Sequence, residues 1–341
     1  MSRTASTATK LSAGIVILIG ILAGYLAWSW NHALQPGSDT YIVKPGTGLI
    51  ALAGELERRH VLPETRSFLL LGRLTLKRHD FKAGEYRFRN GMNARELLAQ
   101  VAAGRVVEYP FRIAEGSTFR QVLDELAKAG DLVQTLPGMP HAQIMAKLGA
   151  PDTHPEGRFY PDTYFYAAGN TDLMVLQRAY DKMQARLQRE WENRNPSIPL
   201  KTPDQALILA SIIEKETGRA DERRMIAGVF INRLQKNMRL GTDPTVIYGL
   251  GAKFDGDLRK RDLLTDSPYN TYTRRGLPPT PIAMPAGASL HAAVNPESTR
   301  ALYFVSRGDG SHVFSDTYEE HHRAVIKYQL GGRPLPAPMP K

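Results

Sequence analysis

The chain has 341 residues, with 44 Lys and Arg against 34 Asp and Glu, and it contains no cysteine. Its 42% hydrophobic content is that of a globular protein, which excludes a wholly disordered chain, and its length predicts two or three domains. The missing cysteines exclude a disulfide scaffold, a Cys-ligated zinc site and a cysteine nucleophile. The formal charge of +10 leaves three anionic partners open: nucleic acid, lipid, or an acidic polymer such as cell wall.

Residues 11–30 form an uncharged run of 20 residues, long enough to cross about 30 Å of hydrocarbon as a helix. Basic residues precede this run and aromatic residues lie toward its far end: Arg3, Lys10, Tyr25, Trp28 and Trp30. The pattern predicts a cytoplasmic tail at 1–10, a transmembrane helix at 11–30 and an exported body after a polar linker at 31–40. A cleaved signal peptide is the alternative, but it would have a shorter apolar core that ends in small residues. Export makes an envelope polymer or lipid a better partner than nucleic acid, for which we expect no role.

Three segments between residues 41 and 130 share a strand-turn-helix pattern. They begin at Tyr41, Gly84 and Tyr109, and in each an alternating stretch gives way at a Gly turn to apolar spacings of three and four. The predicted helix N-caps are Thr47, Asn93, and Ser117 or Thr118, with a capping box from Asn93 to Glu96. These βα units resemble LysM-like glycan-binding modules, and a structural spacer domain is the alternative.

Two further features bear on binding. From Arg73 to Arg95, seven basic residues stand against two acidic ones, a local net charge of +5, which suits an anionic partner or a solvated helix face: Arg73, Lys77, Arg78, Lys82, Arg87, Arg89 and Arg95 against Asp80 and Glu85. The predicted connector at 131–170 holds an aromatic-rich stretch that runs from Glu156 to Tyr166. Aromatic rings stack on sugars, although a buried connector would show the same composition.

The stretch from Asp204 to Thr217 is predicted to be a helix, with Thr202 as its cap, Pro203 in the first turn and Gly218 as its stop. Its apolar ridge extends to Glu216, whereas Glu214 lies about 200° away, so the two carboxyls cannot face one cleft. A desolvated carboxyl at Glu216 would have a raised pKa and could act as a general acid. Glu214 would pair instead with Arg or with backbone, and a salt-bridged surface role for Glu216 remains the alternative.

A second helix is predicted from Glu222 to Lys236, and long loops rich in Gly, Pro, Asn and Tyr follow it. With the first helix they form a set of specific motifs: Ala210-Ser-Ile-Ile-Glu-Lys-Glu-Thr217, Val229-Phe-Ile-Asn-Arg-Leu234, Met238-Arg-Leu-Gly-Thr-Asp-Pro-Thr-Val-Ile-Tyr-Gly249, Tyr269-Asn-Thr-Tyr-Thr273 and Gly276-Leu-Pro-Pro279. The tail is predicted to hold a hairpin, with strands at 302–306 and 312–315, and then a helix from Tyr318 to Leu330.

These motifs, together with the anchor and Phe81-Lys-Ala-Gly-Glu-Tyr-Arg-Phe88, resemble those of the YceG-like family of membrane-bound endolytic murein transglycosylases, over nearly the whole chain. The resemblance implies non-hydrolytic cleavage of MurNAc–GlcNAc bonds within glycan strands, which leaves 1,6-anhydro-MurNAc ends and terminates strand elongation. One glutamate would act first as acid and then as base, unlike the carboxylate pair of most glycoside hydrolases. Non-catalytic glycan scaffolding and hydrolytic muramidase activity are the alternatives.

The resemblance carries the catalytic role to Glu216, with Glu214 as the competitor. It carries glycan binding to Tyr269 and Asn270, and less firmly to a further set: Asn232, Thr242, Asp243, Tyr248 and Tyr272. For each of these, a loop-stabilising hydrogen bond is the alternative, and Asp243 before Pro244 could simply be a helix N-cap. The resemblance also implies an inner-membrane protein with a periplasmic catalytic domain, peptidoglycan synthases as neighbours, and no cofactor or metal.

The predicted fold class is therefore α+β. It combines an N-terminal transmembrane helix, a LysM-like βα domain at 41–130, the connector at 131–170, and a mixed helical and β catalytic domain at 171–335.

Overall fold

The computed structural model describes residues 2–37, 40–44, 46–76 and 81–331, with side chains from Ala13 onward. The chain divides into two compact units. Unit 1 comprises residues 1–109, 131–133 and 165–170, and unit 2 comprises 110–130, 134–164 and 171–341. The mixture of helices and short two-stranded sheets confirms the α+β class.

The N-terminal apolar segment is helical. Helix α1 spans Ser2–Asn31, and its stretch Ala13–Asn31 has a mean hydropathy of 1.9 with only 6% of the residues buried. Length and composition suit a membrane span, and a signal sequence would pass the same test. Directly after α1, Leu34 is buried, and its backbone bonds to the backbone of Gly91 and Met92.

Unit 1 contains the first two of the three predicted βα segments and a further helix between them. The elements are β1 (Thr40–Val43), α2 (Leu49–Arg58), α3 (Thr65–Thr75), β2 (Gly84–Arg87) and α4 (Ala94–Ala102). Strands β1 and β2 pair antiparallel, with Tyr41 opposite Tyr86, and the helices supply an apolar core that includes Leu56 and Leu97. The capping box of Asn93 and Glu96 is confirmed.

The start of α2 and the basic cluster differ from what the sequence predicts or fall partly outside the described residues. The predicted cap at Thr47 is wrong, because Gly48 precedes α2 and no side chain caps that helix. Three charges of the basic cluster, Lys77, Arg78 and Asp80, lie outside the described residues.

The middle of the chain contains β3 (Glu108–Arg112), α5 (Phe119–Leu126), α6 (His141–Lys147) and β4 (Thr163–Ala167). Strands β3 and β4 pair with each other, and the division between the units falls within them. Thr118 caps α5 through a capping box with Gln121, which confirms the predicted cap. Of the aromatic stretch, Phe159 is fully buried and stacks on Phe119, so part of it is core.

Unit 2 is a helical core that is closed by a hairpin. It contains α7 (Asp172–Glu192), α8 (Pro203–Glu216), α9 (Arg223–Gln235), α10 (Asp243–Leu250), α11 (Lys260–Leu264), α12 (Gly287–Val294), β5 (Tyr303–Ser306), β6 (His312–Ser315) and α13 (Tyr318–Tyr328). Helix α8 lies at the centre, against α7, α9, α10 and α12. The predicted tail hairpin is confirmed, with Phe304 opposite Phe314.

Helix α8 begins as predicted, because the Thr202 side chain accepts a hydrogen bond from Gln205 and Pro203 occupies the first turn. Its eight residues from Ala206 to Ile213 are all buried. The helix ends at Glu216, one residue before the predicted end, and Gly218 follows the C-cap as predicted. Thr217 leaves the helix in an extended conformation, and Gly218 is not in the left-handed region.

Candidate functional site

Two glutamates at the end of α8 point to different surroundings, as the helix geometry predicts. The Glu214 side chain is 5% exposed, and its carboxylate accepts the backbone N–H of Ala286 at 2.9 Å, with Arg223 at 4.0 Å. This carboxylate therefore ties α8 to the start of α12 and to α9. The predicted pairing of Glu214 with Arg and backbone is confirmed.

Glu216 meets the first turn of α10. The Thr242 hydroxyl donates a hydrogen bond to Oε1 of Glu216, a residue that is partly buried as a whole. Burial raises the pKa of this carboxyl and the nearby Asp243 raises it further, whereas the Thr242 hydrogen bond and the charge of Arg233 act to lower it. The net effect is a raised pKa, so Glu216 keeps its proton to a higher pH than an exposed glutamate.

The loop that contains Tyr269–Thr273 holds α10 in place beside Glu216. Thr271 accepts the Thr242 backbone N–H at 3.0 Å, and the Tyr272 hydroxyl donates to Asp243 at 2.6 Å. Gly241 has a φ of +55°, and a Cβ there would lie 3.5 Å from the Tyr272 ring. The turn before Thr242 therefore favours glycine. Helix α10 begins at Asp243 as expected, but Thr242 rather than Asp243 is the N-cap residue, and it makes no side-chain capping bond.

The side chains of Asn270 and Asn232 form hydrogen bonds with backbone groups. Asn270 is 1% exposed, and its Nδ2 lies 2.7–3.2 Å from three carbonyl oxygens: those of Asp262, Leu263 and Thr265. Its Oδ1 accepts the Tyr272 N–H at 2.9 Å. Nδ2 of Asn232 donates to the carbonyls of Thr299 and Ala301 at 2.8 and 3.0 Å. Both side chains therefore stabilise the backbone of nearby loops, and we call these two residues the loop supports.

Tyr248 and Tyr269 lie elsewhere, in a cleft of about 880 Å³. Their rings pack edge to face at 4.9 Å, and the Tyr269 hydroxyl lies 2.9 Å from the Thr280 hydroxyl. The cleft mixes aromatic, basic and acidic side chains, which include Phe119, Arg120, Asp124, His141, His154, Glu156, Lys215 and Phe254. Glu216 is not among its lining residues, although its neighbour Lys215 is. The predicted site residues thus fall into three groups. Tyr248 and Tyr269 line this cleft, Thr242, Asp243 and Tyr272 form the Glu216 cluster with Glu216, and Asn232 and Asn270 are the loop supports.

Sequence reasoning missed Glu156 as a site residue. It is 4% exposed, yet it lines the cleft, where its Oε1 accepts the Phe119 N–H at 2.9 Å and its Oε2 accepts the Tyr248 O–H at 3.0 Å. Burial raises the pKa of Glu156 to about 7, because the hydrogen bonds from Phe119 and Tyr248 offset only part of the desolvation. The sequence signal for a site at Glu156 was weak, because it is a single acid between Pro155 and Gly157. In the structure, Gly157 has a φ of +78°, which marks a tight turn.

The sequence model of the YceG-like family matches residues 41–327. An endolytic murein transglycosylase of Bacillus subtilis is 31% identical over 84% of this chain and 83% of its own length. One of Streptococcus pneumoniae is 26% identical over 73% of this chain, which spans about half (51%) of that relative.

The fold agrees with a solved structure. A YceG-like protein from Listeria monocytogenes superposes with a TM-score of 0.53 at 29% identity, covering 84% of this chain and 98% of that one. The family match covers both the βα segments and the α8–α13 region, so this chain belongs to the YceG-like family.

Proposed function

We propose that the protein is a membrane-anchored endolytic peptidoglycan lytic transglycosylase, a carbon–oxygen lyase that cleaves MurNAc–GlcNAc bonds within glycan strands. The observation that carries this proposal is Glu216, a single carboxyl with a raised pKa at the end of the central helix, hydrogen-bonded by Thr242. Relatives that bear the name endolytic murein transglycosylase support the same activity.

The surroundings of Glu216 suit a group that must first give up a proton and then take one. Burial and Asp243 favour the protonated form, in which the carboxyl can protonate the glycosidic oxygen. Thr242 and Arg233 favour the carboxylate that remains after this transfer. That carboxylate then accepts the proton of the C6 hydroxyl, whose oxygen closes on C1 to give the 1,6-anhydro end.

This route activates no water and needs no second carboxylate beside the first. Glu214 is held by Ala286 and Arg223, so it is not available to the bond that Glu216 cleaves. An inverting hydrolase would instead place two carboxyls about 6.5–9.5 Å apart across a water molecule.

Helix α1 anchors the chain in the bacterial inner membrane, with the chain that follows it in the periplasm, which fits the basic residues before the apolar run and the aromatic ones at its end. Unit 1 is a LysM-like module that contacts glycan or serves as a spacer. The substrate is the nascent strand beside peptidoglycan synthases, so cleavage terminates elongation.

Mass spectrometry of purified glycan strands after digestion tests the activity. We expect 1,6-anhydro-MurNAc ends, loss of cleavage in Glu216→Gln, and retained cleavage in the matched control Glu214→Gln if that variant folds. Reducing ends would identify a hydrolytic muramidase, and no cleavage by the wild type would identify a glycan-binding scaffold. Activity in Glu216→Gln together with its loss in a folded Glu214→Gln would move the acid to Glu214.

A further inference from the structure

The C-terminal end of α1 is bonded by side chains to the rest of unit 1. The Ser29 and Ser67 hydroxyl oxygens are 2.7 Å apart, and both residues are 5% exposed. Nε1 of Trp30 donates to the Ser67 carbonyl at 2.9 Å, and the Arg95 guanidinium lies 5.0 Å from the centre of the Trp30 ring. We call this group, Ser29 and Trp30 on α1 with Ser67 on α3 and Arg95 on α4, the anchor clamp.

The chain beyond α1 continues the same attachment. Leu34 is 2% exposed and belongs to the unit 1 core, and its N–H and C=O bond to the backbone of Met92 and Gly91 at 2.8 and 2.9 Å. The Gly37 N–H donates to Asn90 at 2.9 Å. A segment whose side chain and backbone groups are buried in this way cannot act as a flexible tether.

The level of the clamp relative to a bilayer follows from α1 itself. The apolar stretch ends at Asn31, and the side chains of Tyr25 and Trp28 remain about half exposed, at 43% and 53%. Tyr and Trp near the end of a span lie at the level of the lipid headgroups. Because the clamp holds the first turns of α3 and α4 beside Trp30, those turns lie at the same level, with the exposed side chains of Arg66 and Arg95.

We propose that the anchor clamp seats unit 1 directly on the membrane, where the first turns of α3 and α4 contact phospholipid headgroups and Arg66 and Arg95 bind the lipid phosphates. This proposal rests on the proposed membrane anchoring by α1. Guanidinium groups suit phosphate, because their N–H groups match its oxygens in pairs. The region holds two acids, and backbone groups engage both. Glu64 accepts the N–H groups of Arg66 and Ser67 at 2.7 and 2.9 Å, and Glu96 accepts the Asn93 N–H at 3.3 Å within the capping box.

The cysteine-free chain allows a clean cross-linking test of the clamp. In full-length protein reconstituted into vesicles of phosphatidylethanolamine and phosphatidylglycerol, the pair Ser29→Cys and Ser67→Cys should form a disulfide under mild oxidation. The matched control combines Ala27→Cys with Ser67→Cys, since Ala27 lies about 200° around α1 from Ser29. We expect about a tenfold or greater excess of cross-linked product over the control, because disulfides demand a specific approach of the two Cβ atoms. Equal yields, or no disulfide in the first pair while glycan cleavage is retained, would overturn the clamp.

Spin labels on single cysteines at positions 66, 95 and 18 test the contact with lipid. A label on Leu18→Cys should lie in the hydrocarbon, and labels on Arg66→Cys and Arg95→Cys should lie at headgroup depth, as measured by collision with lipid-soluble and water-soluble relaxing agents. If the label at position 18 is aqueous, the membrane anchoring itself fails. If position 18 is in lipid while positions 66 and 95 show the full water exposure of free label, the anchoring stands and the proposed headgroup surface is refuted.

Discussion

The buried carboxyl of Glu156 should make the unfolding free energy of unit 2 depend on pH, and the substitution Glu156→Gln should remove this dependence. Its pKa is raised to about 7 in the folded protein from 4.5, the ordinary value of a glutamate. The folded state therefore binds this proton more tightly than the unfolded state does. The extra stability is fully present below pH 4.5 and is lost as the pH rises from about 4.5 to about 7.

The size of this effect follows from the pKa difference. A change from 4.5 to about 7 is about 2.5 pH units, which at 1.36 kcal/mol per unit corresponds to about 3 kcal/mol. Glu156→Gln keeps the shape of the protonated carboxyl and can still accept the Phe119 N–H, but it cannot ionise. Relative to this variant, the wild type should lose about 3 kcal/mol of unfolding free energy between pH 4.5 and pH 8.

Denaturant unfolding of both full-length proteins in detergent, at half-unit pH steps, measures this difference. Groups common to both proteins cancel in the comparison, and Trp191 reports fluorescence from unit 2. Tyr248→Phe is a useful second variant. It keeps the carboxyl and removes a hydrogen bond that lowers its pKa, so it should move the transition to higher pH. Parallel pH profiles for wild type and Glu156→Gln would refute the reasoning, because they would show that Glu156 titrates as an exposed acid.

Two further predictions concern the Glu216 cluster and its supports. Thr242→Val removes the hydroxyl that lowers the pKa of Glu216, so the alkaline limb of the cleavage rate profile should move to higher pH, and kcat should fall by about 10–100-fold because the carboxylate loses a hydrogen-bond donor. Unchanged kcat and an unchanged alkaline limb would contradict this role. Asn270→Ala should lower the unfolding free energy by about 3 kcal/mol, since buried carbonyls lose their donor. Tyr269→Phe is its control and should cost about 1 kcal/mol, and equal losses would count against the loop-support role.

Local patterns predicted the local structure well. The cap at Thr202, the first-turn Pro203 and the apolar spacing of α8 place Glu214 and Glu216 on different sides, and the structure bears this out. The capping box from Asn93 to Glu96, the cap at Thr118 and the tail hairpin also followed from short stretches of sequence. Each of these features depends on residues a few positions apart, so side-chain chemistry and helix or strand periodicity were sufficient.

The fold adds contacts and backbone conformations that these local patterns did not predict. Residue type made Asn270 a candidate for glycan binding, which stays a prediction, and the fold shows in addition that its side chain bonds to the backbone of the loop around it. Gly218 follows the end of α8 as predicted, but Thr217, which was predicted as the last helical residue, is already in an extended conformation.

The sequence alone established the α+β class, the apolar first helix, several of the helices and strands, and the placement of Glu216 and Glu214 on different sides of α8, because these depend on composition, periodicity and capping. Tertiary structure decided which groups surround each carboxyl. Glu216 meets Thr242, 26 residues away, and Glu156 meets Tyr248, 92 residues away. Burial sets the pKa of both acids, and burial depends on which distant segments pack together, a property that no local pattern records.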